Sequence, residues 1–336
     1  MPNRELIDPA GRRVNYLRLS VTDRCNLNCF YCRNDPSTCF KRQKKELAKQ
    51  DFVRIIKTAA DIGITKVRLT GGEPLLYPEI IALVHEIASI PKIRDISMTT
   101  NAILLPQYAY QLKKAGLKRV NISLDSLQEL NFKQITNGGA LKYVLEGIDA
   151  ALDAGLTPLK INVVLLKGIN DHEIADFARL TLDRELHVRF IEYMPIGGKS
   201  EQWDSHFLSL DKVVEVCSKI SHFVPAESEN GGGPARYFRL QGGKGKIGLI
   251  TPLSRHFCKN CNRLRVTCDG KLKPCLFSEK EIDLVPALKA TNYKELLIKK
   301  ILAALKVKPD PRLVATASKD RARQFKGNRK MNEIGG

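Results

Sequence analysis

Six of the nine cysteines fall in two triads far apart in the chain, Cys25/Cys29/Cys32 and Cys258/Cys261/Cys275. Structural zinc sites and fully ligated iron-sulfur clusters take four protein ligands, so a triad indicates a metal centre with one position left open for chemistry. In Cys25-Asn-Leu-Asn-Cys-Phe-Tyr-Cys32, three residues separate the first two sulfurs and two separate the next, a loop short enough to wrap a cluster. A zinc knuckle completed by a distant His is the alternative on spacing alone. The second triad reads Cys258-Lys-Asn-Cys261 and then Cys275. A zinc ribbon would want a second Cys-x-x-Cys pair, and Cys268 with Cys275 lacks that spacing. Cys39, Cys217 and Cys268 are read as non-ligands.

The elements that must hold these groups alternate. From about Val14 to Met194, short β-rich runs are separated by longer helical patterns, as βα units around a parallel sheet require. Six strands are expected, at Tyr16-Leu-Arg-Leu-Ser, Lys66-Val-Arg-Leu-Thr, Asp95-Ile-Ser-Met-Thr, Arg119-Val-Asn-Ile-Ser-Leu, Lys160-Ile-Asn-Val-Val-Leu and Val188-Arg-Phe-Ile-Glu-Tyr. A closed (β/α)8 barrel takes roughly 250 residues, so six units predict an α/β fold with an open, partial (β/α)6 barrel. Beyond Met194 the alternation stops and glycine-rich turns break the chain. Residues 1–235 are expected to form the barrel domain. Residues 236–336 would form a small, mainly antiparallel domain that closes the open side and brings the second triad to face the first.

In such barrels the functional groups sit where strands run out into loops. Those positions hold Cys25, Gly71-Gly72-Glu73-Pro74, Thr99-Thr100-Asn101, Ser123-Leu-Asp125 and Glu192-Tyr-Met194. Glycines let a backbone approach a ligand, and Glu73 offers a carboxylate to an ammonium group; a plain turn is the alternative. Arg18, Lys66, Arg68, Lys160 and Arg189 lie on the strands themselves, and Lys66 shares its face with Arg68 as Lys160 does with Asn162. A triphosphate would neutralise these cations, and salt bridges to Asp125 and Glu192 are the competing explanation. Arg263 and Arg265 alternate on an expected strand beside the second triad.

The formal charge of +19 fits an anionic ligand, but charge alone does not choose one. Lys41 to Lys49 and Arg321 to Lys330 lack aromatic interleaving and read as solvated faces, so a nucleic-acid partner is not expected. There is no signal-peptide pattern and no apolar run of the ~18 residues a membrane span needs, which predicts a soluble cytoplasmic protein with reduced cysteines.

Val21-Thr-Asp-Arg-Cys-Asn-Leu-Asn-Cys-Phe-Tyr-Cys resembles the motif of radical S-adenosylmethionine (SAM) enzymes. More narrowly, the chain resembles the molybdenum cofactor biosynthesis protein A family, the GTP 3',8-cyclases. The resemblance is carried by Leu17-Arg-Leu-Ser-Val-Thr-Asp-Arg-Cys, Arg68-Leu-Thr-Gly-Gly-Glu-Pro-Leu, Val120-Asn-Ile-Ser-Leu-Asp-Ser-Leu and Arg189-Phe-Ile-Glu-Tyr-Met-Pro. Gly233-Pro-Ala-Arg-Tyr-Phe, His256-Phe-Cys-Lys-Asn-Cys-Asn-Arg-Leu-Arg and Ile334-Gly-Gly extend it. Ala102 stands where the family usually has Gly.

The resemblance implies two [4Fe-4S] clusters and SAM. Cys25, Cys29 and Cys32 would hold the SAM cluster, with Tyr31, Gly72, Glu73, Ser123 and Met194 around the cofactor; Cys258, Cys261 and Cys275 would hold the second cluster, whose open iron meets guanine. Arg18, Lys66, Arg68, Thr99, Lys160, Arg189 and the segment Arg263, Leu264 and Arg265 would contact GTP. Arg263, Arg265 and an inserted tail bearing Gly335 and Gly336 are implied to serve turnover. The implied reaction is abstraction of hydrogen from C3' of GTP by a 5'-deoxyadenosyl radical, then C3'–C8 closure and reduction to 3',8-cyclo-7,8-dihydroguanosine triphosphate. Implied partners are GTP, an external one-electron donor and cyclic pyranopterin monophosphate synthase downstream, and a homodimer is compatible. The competing readings are a radical SAM peptide maturase, whose C-terminal cysteines are usually more numerous, and a zinc-bearing nucleic-acid-binding protein.

Overall fold

The computed structural model describes residues 5–32, 45–196, 200–227, 233–312 and 329–335. Six parallel strands lie side by side in chain order: β1 (Tyr16–Ser20), β2 (Lys66–Thr70), β3 (Asp95–Thr100), β4 (Arg119–Ser123), β5 (Leu159–Leu165) and β6 (Leu186–Glu192). The connections hold α1 (Lys49–Asp61), α2 (Ile80–Ala88), α3 (Leu105–Lys114), α4 (Glu129–Thr136), α5 (Leu141–Asp153) and α6 (Ile174–Asp183). Strand alternation sorts the residues. Leu17, Leu19, Val67, Leu69, Ile96, Met98, Val120, Ile122, Ile161, Val163, Val188 and Phe190 join the apolar core, where α1 contributes Phe52, Ile55, Ile56 and Ala59. The opposite parity, Tyr16, Arg18, Lys66, Arg68, Thr99, Arg119, Asn121, Lys160, Asn162 and Arg189, is polar and lines a cavity.

After β6 come α7 (Ser200–His206), α8 (Asp211–Ile220), β7 (Phe223–Ala226), β8 (Arg236–Leu240) and β9 (Lys246–Ile250), then β10 (Arg263–Val266), β11 (Lys271–Lys273) and β12 (Ile282–Asp283). α9 (Val285–Leu288), α10 (Tyr293–Lys306), which packs on α1, and the short α11 (Met331–Ile334) complete the described elements. The later strands extend both margins of one sheet, in the order β12, β11, β10, β1 to β6, β9, β8, β7. The mainly antiparallel C-terminal pairing the sequence suggested holds for β7 with β8, β8 with β9, β10 with β11 and β11 with β12, but β9 also runs parallel to β6 and β10 parallel to β1. Because β9 and β10 lie at opposite margins of the six-stranded core, the 251–262 connection must cross from one side of the open barrel to the other. It carries Cys258 and Cys261.

Candidate active site

The first triad occupies the loop after β1. Its shape is set by the second loop, where Gly72 donates to the Thr22 carbonyl (2.8 Å) and Glu73 to that of Arg24 (2.7 Å). A Cβ on Gly72 would lie 2.0 Å from the Arg24 carbonyl oxygen, so the close approach that glycine permits here is to the cysteine loop itself. Glu73 departs from the expected role in the same way. It is buried, and its carboxylate accepts from Thr100 Oγ1 (2.7 Å) and from the backbone N–H groups of Asn101 (2.7 Å) and Leu75 (3.1 Å). It braces the loop from behind and does not face outward to meet an ammonium group.

Burial pushes the Glu73 carboxyl up to about 7 from an ordinary 4.5, against the pull of those three donors. A carboxyl so raised is bound more tightly by its proton in the fold than in the unfolded chain. Its contribution to stability is therefore full below about 4.5 and lost as pH rises through about 7, a change of roughly 3 kcal/mol. Urea midpoints at pH 5 and pH 8 should show a larger loss for the wild type than for Glu73→Gln. Parallel slopes would mean that Glu73 is ionised throughout.

None of the three thiols is in a disulfide. Asn101 Nδ2 (3.8 Å) and the Leu27 N–H (3.4 Å) donate to Cys25 Sγ, the kind of outer bond that orients a thiolate ligand. Burial, Asp125 and the two neighbouring thiols push Cys29 well above the usual thiol range. A bound cationic centre would reverse that balance, since coordination deprotonates a thiol outright. Tyr31 donates to Asp125, which also accepts from the Val164 N–H (2.8 Å) and which burial pushes up to about 6.

The second triad lies at the other end of β1, where Asn262 accepts from the N–H groups of Asn15 and Tyr16 (3.2 and 3.1 Å). Buried Lys308 donates to Cys261 Sγ (3.7 Å) and to the carbonyls of Arg263 and Pro274 (both 2.8 Å). Arg12, ion-paired with Asp8, donates to the Cys258 carbonyl (3.0 Å). Burial raises the Cys261 thiol, but Arg263 and Lys308 outweigh it and bring it down to about 6, so this sulfur is an anion near neutrality. Among the described residues no three His, Cys, Asp or Glu side chains gather as the ligands of a single metal ion would. The fit of both triads to a cluster rests on donor chemistry: thiols, outer-sphere donors and, at Cys261, a thiolate ready to bind.

One cavity joins this triad to the inward face of the sheet. Cys258, Cys261 and Cys275 line it together with Arg18, Lys66, Arg68, Arg119, Lys160, Arg189, Arg263 and Arg265, against one acid, Asp95. Asp95 is taken by the Arg119 guanidinium in a forked pair (Nη2–Oδ2 2.6 Å). Arg265, Arg18 and Arg68 stand directly opposite one another on adjacent strands. Like charges in that register destabilise a sheet unless an anion intervenes. Burial and Arg265 hold Arg18 well below the usual guanidinium range, and burial and Arg263 bring Arg265 down to about 10. Asp125 is engaged by Tyr31 and Val164, and Glu192 by the N–H groups of Leu253 (2.9 Å) and Ser254 (3.1 Å) and by the Ser254 hydroxyl. Arg189 donates to Asn162 Oδ1 (2.9 Å), and Asn121, with its amide oxygen turned inward, accepts from Arg189 (2.6 Å) and from Arg68. Arg68 also donates to the Tyr16 hydroxyl and to Thr99 Oγ1 (3.4 Å).

The cavity thus gathers Met194 and Thr99 with the cations and the second triad, while Cys25, Cys29, Cys32, Tyr31, Gly72, Glu73 and Ser123 belong to the loops and ends at the carboxyl side of the strands. Leu264 is corrected: the alternation that turns Arg263 and Arg265 inward turns it into the core, 1% exposed, so its side chain meets no ligand. Gly335 is buried against Thr70, and its carbonyl accepts from Arg265. Gly336, the 33–39 loop, Lys41 to Lys44 and 321–328 lie outside the described residues. Tyr16, Arg119, Asn121 and Tyr237 also line the cavity and were not anticipated; strand parity alone would have found the first three. Arg12 and Lys308 carry no such signal.

Residues 19–181 match the model of the radical SAM superfamily, and 186–313 match that of Molybdenum Cofactor Synthesis C. A GTP 3',8-cyclase of Alkaliphilus oremlandii is 46% identical over 98% of this chain and 99% of its own length. One from Listeria monocytogenes is 45% identical with the same coverage. Among solved structures, Streptococcus suis SuiB bound to precursor peptide SuiA superposes with a TM-score of 0.61 over 90% of this chain and 67% of its own, at 14% identity, a likeness of fold alone. No helix among the described residues is long and apolar enough to cross a membrane. The chain belongs to the GTP 3',8-cyclase family of the radical SAM superfamily.

Proposed function

We propose that this chain converts GTP to 3',8-cyclo-7,8-dihydroguanosine triphosphate, the first step of molybdenum cofactor biosynthesis, using SAM and one [4Fe-4S] cluster on each cysteine triad. The observation that carries the reading is the single cavity in which the second triad and the row of inward cations share one wall. In this reading guanine lies toward Cys258, Cys261 and Cys275 and the phosphates toward Lys66, Arg68, Lys160 and Arg189, all of which line the cavity. When bound, the first cluster and SAM supply a deoxyadenosyl radical able to take hydrogen from C3'. The chain's residues do the placing. Cys25, Cys29 and Cys32 lie beyond the carboxyl end of β1 and the second triad at its amino end, and the strand spans about 13 Å at ~3.3 Å per residue. Fixing a nucleotide at both ends across that span would hold its ribose between the two centres and remove the motion that would let a radical escape. Arg263, Arg265 and the Gly335–Gly336 pair are assigned to turnover, and Tyr31, Ser123, Met194 and the Gly72 loop to the cofactor side.

Residues 236–336 supply the whole second triad, which supports a division into a barrel part, 1–235, and an auxiliary-cluster part. Reductive SAM cleavage calls for an external one-electron donor, and the cyclised triphosphate calls for an enzyme that rearranges it, the role of cyclic pyranopterin monophosphate synthase. The test is anaerobic reconstitution with iron and sulfide, then SAM, dithionite and GTP, with mass spectrometry of the products. Deoxyadenosine with a cyclised GTP isomer is expected. Deoxyadenosine with unaltered GTP would move the substrate elsewhere.

A further inference from the structure

The segment 329–335 touches both ends of the site without joining the sheet. Arg329, 9% exposed, forks onto two acids: Nε and Nη2 donate to Glu281 (2.5 and 2.7 Å), and Nη1 and Nη2 donate to Asp269 (3.1 and 3.0 Å). Asp269 stands in the turn between β10 and β11, and Glu281 precedes β12, so together they bracket the hairpin from which Cys275 projects. Buried Lys273 also pairs with Glu281 (3.1 Å). Two acids and two cations therefore balance only while Arg329 is present.

From this anchor the chain makes the single turn of α11, tied by the Glu333 carboxylate accepting from the Lys330 N–H (2.7 Å). Asn332 Nδ2 donates to the Asp23 carbonyl (2.9 Å), two residues before Cys25. Gly335, at φ +67°, then lies where a Cβ would come within 2.3 Å of Thr70 Cγ2, and its carbonyl meets Arg265. Only glycine fits that slot, so its depth depends on how firmly the preceding turn is held.

We infer that Arg329 is a positioning residue: its fork onto Asp269 and Glu281 fixes the 330–335 strap, joins the second triad's hairpin to the first triad's loop, and sets where Gly335 meets the cavity-lining Arg265. This rests on the role in turnover given to the Gly335–Gly336 pair above. Lys at 329 keeps the charge but not the fork, and a strap docked only part of the time lowers activity by the docked fraction.

The experiment compares full-length holoenzyme with Arg329→Met, Asp269→Asn, a deletion of Gly335 and Gly336, and the combined Arg329→Met deletion. Arg329→Met should speed backbone hydrogen exchange across 331–335 and lower GTP cyclisation about tenfold, with iron content unchanged. Asp269→Asn, which attacks the anchor from the other side, should reproduce the exchange change. In the combined variant the effect of Arg329→Met should vanish, because a residue that acts only through the glycine pair has nothing left to position. Unchanged exchange, or losses that multiply in the combined variant, would overturn the inference. If deleting the glycine pair leaves cyclisation intact, the role given to that pair fails, and the exchange data still decide whether Arg329 holds the strap.

Discussion

Alanine at Cys29 is expected to abolish deoxyadenosine formation, whereas alanine at Cys275 should leave it in place and abolish GTP cyclisation, each loss amounting to roughly a thousandfold or more. The two triads are built from different parts of the chain. Around Cys29 stand the 22–24 backbone, the Gly72–Glu73 turn, Asn101 and the Tyr31–Asp125 pair, none of them from the second triad's surroundings. Around the second triad stand Arg12, which donates to the Cys258 carbonyl, and Lys308, which donates to Cys261 Sγ and to the carbonyls of Arg263 and Pro274. Either substitution should remove about four irons per chain. Iron analysis alone therefore shows the same deficit in both, and the products separate them. If both variants lost deoxyadenosine equally, the triads would be parts of one centre and the assignment of guanine to the second would fall.

Much of this was legible because the six inner strands alternate apolar and polar residues with so few exceptions that their two faces can be told apart from sequence. That alternation put Lys66 with Arg68, Lys160 with Asn162 and Arg263 with Arg265 on one face, and the same step leaves Leu264, between the two arginines, on the opposite face in the core. β7 went unseen because Pro225 and its half-exposed neighbours resemble a loop, and an edge strand bonded on one side tolerates both. That β9 and β10 run parallel to the core could not be read locally, since pairing is decided by which margin of the sheet each strand reaches. Glu73 misled for a related reason. A carboxylate at a strand end looks the same in sequence whether it faces a ligand or the three donors that enclose it. Ala102 is the reverse case. It departs from the resemblance, yet its backbone keeps the left-handed φ of 68° that suits glycine, so the loop's path is preserved at a cost of about 1 kcal/mol.

Replacing Arg18 with Met should make the protein more stable without GTP and markedly worse at binding it. Arg18 stands in register between Arg265 and Arg68, and burial and Arg265 disfavour its charged form. Arginine stays protonated at any working pH, so the repulsion among these three guanidiniums persists until an anion enters. Replacing buried ionic groups by apolar side chains of similar volume is often neutral or stabilising by about 1–4 kcal/mol, and for the half-buried Arg18, which opens onto the cavity between two like charges, about 1 kcal/mol is expected, a rise of a few degrees in Tm. The same change removes a charge-assisted contact to phosphate or base worth ~1.5–3 kcal/mol, which raises the KM for GTP roughly ten- to a hundredfold. Calorimetry with and without GTP reads both halves: the variant should start higher and gain less on adding nucleotide. A variant that melts lower than wild type without GTP would show that the contacts Arg18 makes within the protein outweigh its repulsion with Arg265 and Arg68. The row of cations would then be structural, and the strongest electrostatic argument for a polyanionic substrate would be lost.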